Sequence, residues 1–213
     1  MIAKPYAAVS ALMVLGMFAV AAFIARYGVW DHAARVAKVG PLFLIPASAA
    51  AFWVLFAAAP WITPRGRNLF QSQSAYGAIW IAFTSFLAVS FSIALGPVLH
   101  LAWLGPNLGS TAMAIMLIVI GNVSGKLPPN HIAGMRTPWA LADDEVWYKT
   151  QRFGGWVFVI CGFVLLNAAL IFDRHLVSRI MFYATLTSAV LIIFASWLFS
   201  RRKNTSSNSE ESR

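Results

Sequence analysis

Six stretches of the chain are continuously apolar, and short polar segments separate them. They run over roughly Tyr6–Ala25, Pro41–Ile62, Ala75–Leu95, Leu108–Ser124, Gly155–Phe172 and Arg179–Ser200. A helix needs about 20 apolar residues to cross the hydrocarbon core of a bilayer. The fourth and fifth stretches are the shortest, so their helices are expected to extend into the flanking polar residues. None alternates apolar with polar, as the strands of a membrane barrel would. The pattern predicts an all-α polytopic membrane helical bundle with six transmembrane helices.

Composition agrees. Only 11% of the 213 residues are charged, against about 25% in a soluble domain. Lys and Arg gather between the apolar runs and set an orientation, because cytoplasmic loops carry the excess. With the N-terminus in the cytoplasm, eleven of the 16 basic residues fall inside. These are Lys4, Arg65, Arg67, Lys126, Arg136, Lys149, Arg152, Arg201, Arg202, Lys203 and Arg213. Five fall outside, of which Arg26, Arg35 and Lys38 in the first outer loop run against the rule. Both termini are therefore expected on the cytoplasmic side of the membrane. The net charge of +9 reads as contact with the lipid bilayer. No basic stripe with interleaved aromatics supports direct nucleic acid binding. The first span follows Lys4 as a signal peptide would, but its apolar core is long and Arg26 follows at once, so it reads as a retained helix.

The one long polar loop lies at Gly121–Gly155. It holds four basic and three acidic residues, two tryptophans and three prolines. Pro128-Pro129 stops the preceding helix, and Gly134 gives the chain freedom to turn. Asp143-Asp144-Glu145 opens a short helix with its acids at the positive end of the helix dipole, and Glu145 pairs with Lys149 one turn on. This helix, roughly Asp143–Phe153, is expected to lie on the membrane surface before the chain turns inward at Gly154-Gly155. The tail 201–213 has no apolar content and is expected to be disordered. The chain divides into a membrane module over 1–104, a second over 105–200, and this tail.

The usual marks of chemistry are missing. Asp143, Asp144 and Glu145 are consecutive, so they spread around a helix instead of facing one substrate. Asp31 and Asp173 fall on the opposite side of the membrane. Cys161 is the single cysteine and lies in an apolar run. The four histidines are scattered, so no metal site or other cofactor is expected. No ionisable residue lies deep in a span, which weighs against ion-coupled transport. Asn122 and Asn167 would mark a small transporter or lipid-handling protein if they lined a shared polar cavity; a bond between helices is the plainer role for asparagine in a span.

The loop also carries a long pattern: Gly121-Asn122, Lys126, Pro129-Asn130, Gly134, Arg136-Thr137-Pro138-Trp139, Leu141, Val146-Trp147, Thr150, Arg152 and Gly154-Gly155. This run closely resembles the signature of the SdpI family of bacterial integral membrane proteins. The family pattern has Ile where Met135 stands, Thr where Ala140 stands and Ser near Ala142. Pro41-Leu-Phe-Leu-Ile-Pro46 and Pro64-Arg65-x-Arg67-Asn68 are similar to the N-terminal membrane module often fused to it. The longer outer loop of that module is reduced here to Val29-Trp30-Asp31-His32. The resemblance implies immunity to a secreted, membrane-active peptide toxin. It also implies a signalling role in which a cytoplasmic transcriptional repressor is held at the membrane. The residues it points to are Asn122, Lys126, Pro129, Asn130, Gly134, Arg136, Thr137, Pro138, Trp139, Trp147, Thr150 and Arg152, with Arg136 suited to a carboxylate or phosphate.

Overall fold

The computed structural model describes residues 4–27, 42–63, 65–96, 99–100 and 104–211, with side chains described from Pro5 to Lys203. Among these residues the structure is helical, without strands. In chain order it has α1 (Lys4–Tyr27), α2 (Leu44–Ile62), a 3-10 helix η1 (Gly66–Ser72), α3 (Gln73–Leu95), α4 (Leu108–Ser124), a short α5 (Pro138–Ala142), α6 (Asp144–Ile171) and α7 (Arg174–Glu211).

Five of these helices, α1, α2, α3 with η1 ahead of it, α6 and α7, are long and apolar enough to cross a membrane. The helix α4 is equally apolar but shorter, at 17 residues. The bundle turns apolar side chains outward: Leu12, Leu15, Leu170 and Ile171 are all more than 60% exposed. An outer surface this apolar is unsuited to water and suited to lipid. The chain is a multi-pass membrane protein.

The bundle has two halves. In the first, α1, α2 and α3 pack on one another; in the second, α4, α6 and α7 do so; α3 against α4 joins them. A proline fixes the first half. Pro60 lies inside α2 and has no N–H, which leaves the carbonyl one turn back, on Phe56, without its helical donor. The Tyr76 hydroxyl of α3 donates to that carbonyl at 2.8 Å, and the Phe56 and Tyr76 rings stack with centroids 4.9 Å apart. In the second half, glycines let two backbones touch. A Cβ on Gly121 would lie 2.6 Å from the Gly155 carbonyl oxygen, and one on Gly155 would lie 2.6 Å from that of Gly121. Small residues at such a crossing replace side-chain bulk with backbone contact, the usual basis of close helix pairs in lipid.

Two expectations fail at the polar segments. The helix opening at the acidic cluster does not end at Gly154-Gly155. It continues through both glycines to Ile171 as one 28-residue helix. The glycines cost helix stability, but Gly155 seats α4 and Gly154 seats the Met135 side chain; the pair serves packing, not a turn. The short helix separate from the spans is instead α5. The last helix also continues beyond Arg201 to Glu211, where the composition suggested a disordered tail. Lys203 holds this extension against the start of α6, as described below.

Candidate functional site

Between the end of α4 and the start of α6, the chain forms a cap over one end of the bundle. Its floor is apolar. Leu127 and Ala133 are buried in the same cluster as Phe56, Tyr76 and Trp80 of the first half. Trp147 is fully buried with Ala140 and Val146. The cap thus packs on both halves at once.

Each turn of the cap is held by a named polar group. Asn130 is buried, and its side chain makes four bonds. Its Nδ2 donates to the Pro128 and Ala133 carbonyls at 2.8 and 3.1 Å, and its Oδ1 accepts from the amides of Ile132 and Ala133 at 2.8 and 2.7 Å. Such a residue shapes a turn and has no capacity left for a ligand. Asn68 of η1 donates to the Pro129 carbonyl at 2.9 Å, and the Trp147 indole N–H donates to the Leu127 carbonyl at 2.9 Å. Thr137 caps α5 by accepting from the Ala140 amide at 3.3 Å, with Pro138 in the first turn, where its missing N–H is harmless.

Two of the strongest ties were not singled out from sequence. Gln151 is fully buried in α6 and bonds the loop backbone twice: its Oε1 accepts from the Met135 amide at 3.2 Å and its Nε2 donates to the Met135 carbonyl at 3.1 Å. Gly134 makes room for this. Its φ of 110° is open only to glycine at low cost, and a Cβ there would lie 2.7 Å from the Gln151 Oε1. Ser196 of α7 is fully buried between two threonines. Thr150 donates to its Oγ at 2.9 Å, and its Oγ lies 2.6 Å from the Thr137 Oγ1. One serine therefore ties α7 to α6 and to the cap. Gln151 shows as a polar residue inside a helical run, whereas Ser196 carries no signal among the many Ser and Thr of the spans.

Charges close the rim. Asp143 caps α6, with Oδ1 accepting from the Glu145 and Val146 amides at 2.9 and 3.1 Å. Its Oδ2 pairs with Lys203 of α7 at 2.6 Å, and Lys203 also reaches Glu145 at 3.3 Å. Glu145 pairs with Lys149 at 2.6 Å, as the spacing predicts. Asp144 pairs with Arg65 at 2.7 Å. Arg65 adopts a left-handed φ of 55° where the chain leaves α2. The Lys203 ammonium, and then the Val146 amide, hold the Asp143 carboxyl below its ordinary range. Lys149, and then Lys203, do the same for Glu145. The Asp143 and Glu145 carboxylates raise Lys203 in turn. All three acids are engaged by cations or caps, which leaves no carboxylate pair facing a substrate.

The residues expected to act together divide into two groups. Pro129, Asn130, Thr137, Trp147 and Thr150 are buried framework, and Gly134 serves that framework. Trp139 is half-buried against the Ala140, Val146 and Trp147 cluster. Lys126, Arg136 and Arg152 are exposed. Of these, Arg136 is fixed in place: its Nη1 donates to the His131 carbonyl at 2.7 Å, between the Asn130 turn and the Gly134–Gln151 tie. Asn122 is exposed in the last turn of α4. Asn167 is exposed and donates to Phe163 of its own helix at 2.8 Å. Among the described residues, Asn167 makes no bond to another helix.

Comparisons with known proteins bear on this same stretch. The chain is 25% identical to the immunity protein SdpI of Bacillus subtilis (strain 168) over 175 residues, which cover 81% of this chain and 80% of that protein. No solved structure matches. The model of the SdpI/YfhL protein family matches residues 126–200, from the first residue after the α4 cap to the end of the last apolar run. The resemblance read from the loop is thus borne out over residues 126–200, where the chain matches the SdpI/YfhL family model.

Proposed function

We propose that this protein confers resistance to a secreted, membrane-active peptide toxin. In this reading it crosses the bacterial plasma membrane six times, with α4 as the sixth and shortest span. Both termini and the cap lie in the cytoplasm, as the basic residues of the loops favour. The 1–104 module and the 105–200 module act as one bundle through the α3–α4 contact.

One observation carries the reading. The family match begins where the cap begins, and the cap is built to hold one exposed guanidinium, that of Arg136, on a buried frame. An exposed side chain is worth such a frame when its position matters. Guanidinium geometry suits a carboxylate or phosphate, so Arg136 is the contact residue. Asn130, Thr137, Trp147 and Thr150 position it. The cap is also the face on which a cytoplasmic repressor would be held if the protein signals.

The test is a killing assay. Cells carrying Arg136→Ala are expected to lose protection while the protein stays in the membrane at its normal level. Full protection by that variant would sink the proposal. Arg202→Ala, an exposed change on α7 outside the cap, serves as the control that retains protection.

A further inference from the structure

A groove of about 570 Å³ runs between the two halves and ends under the cap. Its walls include Phe52, Phe83, Leu117, Phe158 and Ile192, contributed by α2, α3, α4, α6 and α7. It exists because the halves meet through α3 and α4, which leaves α2 and α7 apart on the other side. Its volume falls within the range of small-molecule sites, ~300–1,000 Å³.

The walls ask for hydrocarbon. The hydroxyls along them bond their own helices: Ser124 to the Ile120 carbonyl at 2.7 Å, Ser188 to Ala184 at 2.7 Å and Thr185 to Met181 at 2.8 Å. No wall hydroxyl is thus left needing a polar ligand. The chemistry changes at the cap end. There the groove is bounded by Gly134, Met135, Arg136 and Thr137, and Arg136 is the one charged residue among those lining it. One of its nitrogens is fixed on the His131 carbonyl, and its other N–H groups can take an anion. A trough for a chain, with one fixed positive charge at its end, complements a molecule with a long apolar tail and a single anionic head. In a membrane protein whose groove ends near the bilayer surface, that molecule is a lipid.

We propose that the groove binds an anionic phospholipid, its acyl chain between the Phe83 and Ile192 walls and its phosphate on Arg136. The cap then reads membrane charge as well as contacting a partner. This rests on the placement of Arg136 given above, and it names the ligand of that residue.

The full-length protein, purified in detergent, would be offered phosphatidylglycerol, phosphatidylcholine with the same acyl chains, or oleate, and bound species counted by native mass spectrometry. Phosphatidylglycerol is expected to be retained over phosphatidylcholine by about tenfold, because both carry the phosphate but the choline cation of phosphatidylcholine would face the Arg136 guanidinium. Oleate is expected to displace it poorly. Arg136→Ala should bring the ratio of the two phospholipids close to one. Ala189→Trp, which narrows the groove and leaves Arg136 in place, should lower uptake of both. Equal retention of the two phospholipids by the wild type, an unchanged ratio in Arg136→Ala, or ready displacement by oleate would each overturn it. The two readings fail separately. Lost protection with unselective lipid binding removes this inference alone, and full protection by Arg136→Ala with its lipid selectivity lost removes the immunity reading alone.

Discussion

Replacing Gly134 by Ala is the sharpest test of how the cap is held. Two costs combine. A residue with a Cβ at φ 110° is strained by ~1–3 kcal/mol. The new methyl would also lie 2.7 Å from the Oε1 and 2.8 Å from the Nε2 of Gln151, so the amide must leave the Met135 backbone. Each of those two bonds contributes ~1 kcal/mol. Even at the low end of that strain they together destabilise the 130–137 turn by about 3 kcal/mol, and every 1.4 kcal/mol is a factor of ten in population. The open form of the turn should therefore rise on the order of 100-fold. Tryptic cleavage after Arg136 measures it, since proteolysis of an opening segment tracks the open population when reclosing is fast. Gly125→Ala is the control. Its Cβ would meet the Arg152 backbone at an ordinary 3.7 Å and its φ is −63°, so cleavage should stay near the wild-type rate. Wild-type cleavage in Gly134→Ala would refute the argument that the turn depends on glycine and on Gln151.

Two further outcomes follow from the polar ties. Ser196→Ala removes the shared partner of Thr137 and Thr150, and burying those hydroxyls without it should cost ~1–3 kcal/mol. Denaturant unfolding in detergent reads this, and a loss below about 0.3 kcal/mol would show the hydroxyl chain to be dispensable. The tie between Asp143 and Lys203 should depend on pH at both ends. Asp143 is lowered in the folded state, so its contribution is complete above the unfolded carboxylate value, ~4, and is lost as pH falls through the folded value. Lys203 is raised, so its contribution is complete below the unfolded lysine value, ~10, and is lost as pH rises through the folded value. The difference in melting temperature between wild type and Lys203→Met should be flat between those limits and vanish in acid. A difference that persists below the pH at which the folded Asp143 is seen to titrate would show that Lys203 acts through packing.

Helix existence was legible because a bilayer makes apolar length the dominant signal, and five of the six apolar runs form helices long enough to span. Boundaries were legible only where local chemistry sets them. Asp143 caps α6 as the acidic cluster suggested, and Pro138 opens α5. The false turn at Gly154-Gly155 has a physical cause. Glycine weakens a helix locally, but its lack of a side chain is also what lets α4 approach, and only the neighbour decides which effect rules. The cap residues were legible as a pattern but not as a division of labour. Asn130 and Thr150 read like ligand groups until their partners are seen. Ser196, 46 residues from Thr150, cannot be paired with it by any local rule.

The uninterrupted α6 has a mechanical consequence. At 1.5 Å per residue, its 28 residues reach about 42 Å, and a hydrocarbon core is about 30 Å thick. The rod is therefore roughly 12 Å longer than the acyl layer is thick, and its first turns carry Trp147, Thr150 and Gln151. A hinge at the glycines would have let that end move alone. Without one, the helix is a lever with its fulcrum in the bilayer. A tilt of 10° imposed inside the membrane displaces the far end by about 2 Å, more than the hydrogen bonds of Gln151 and Ser196 tolerate.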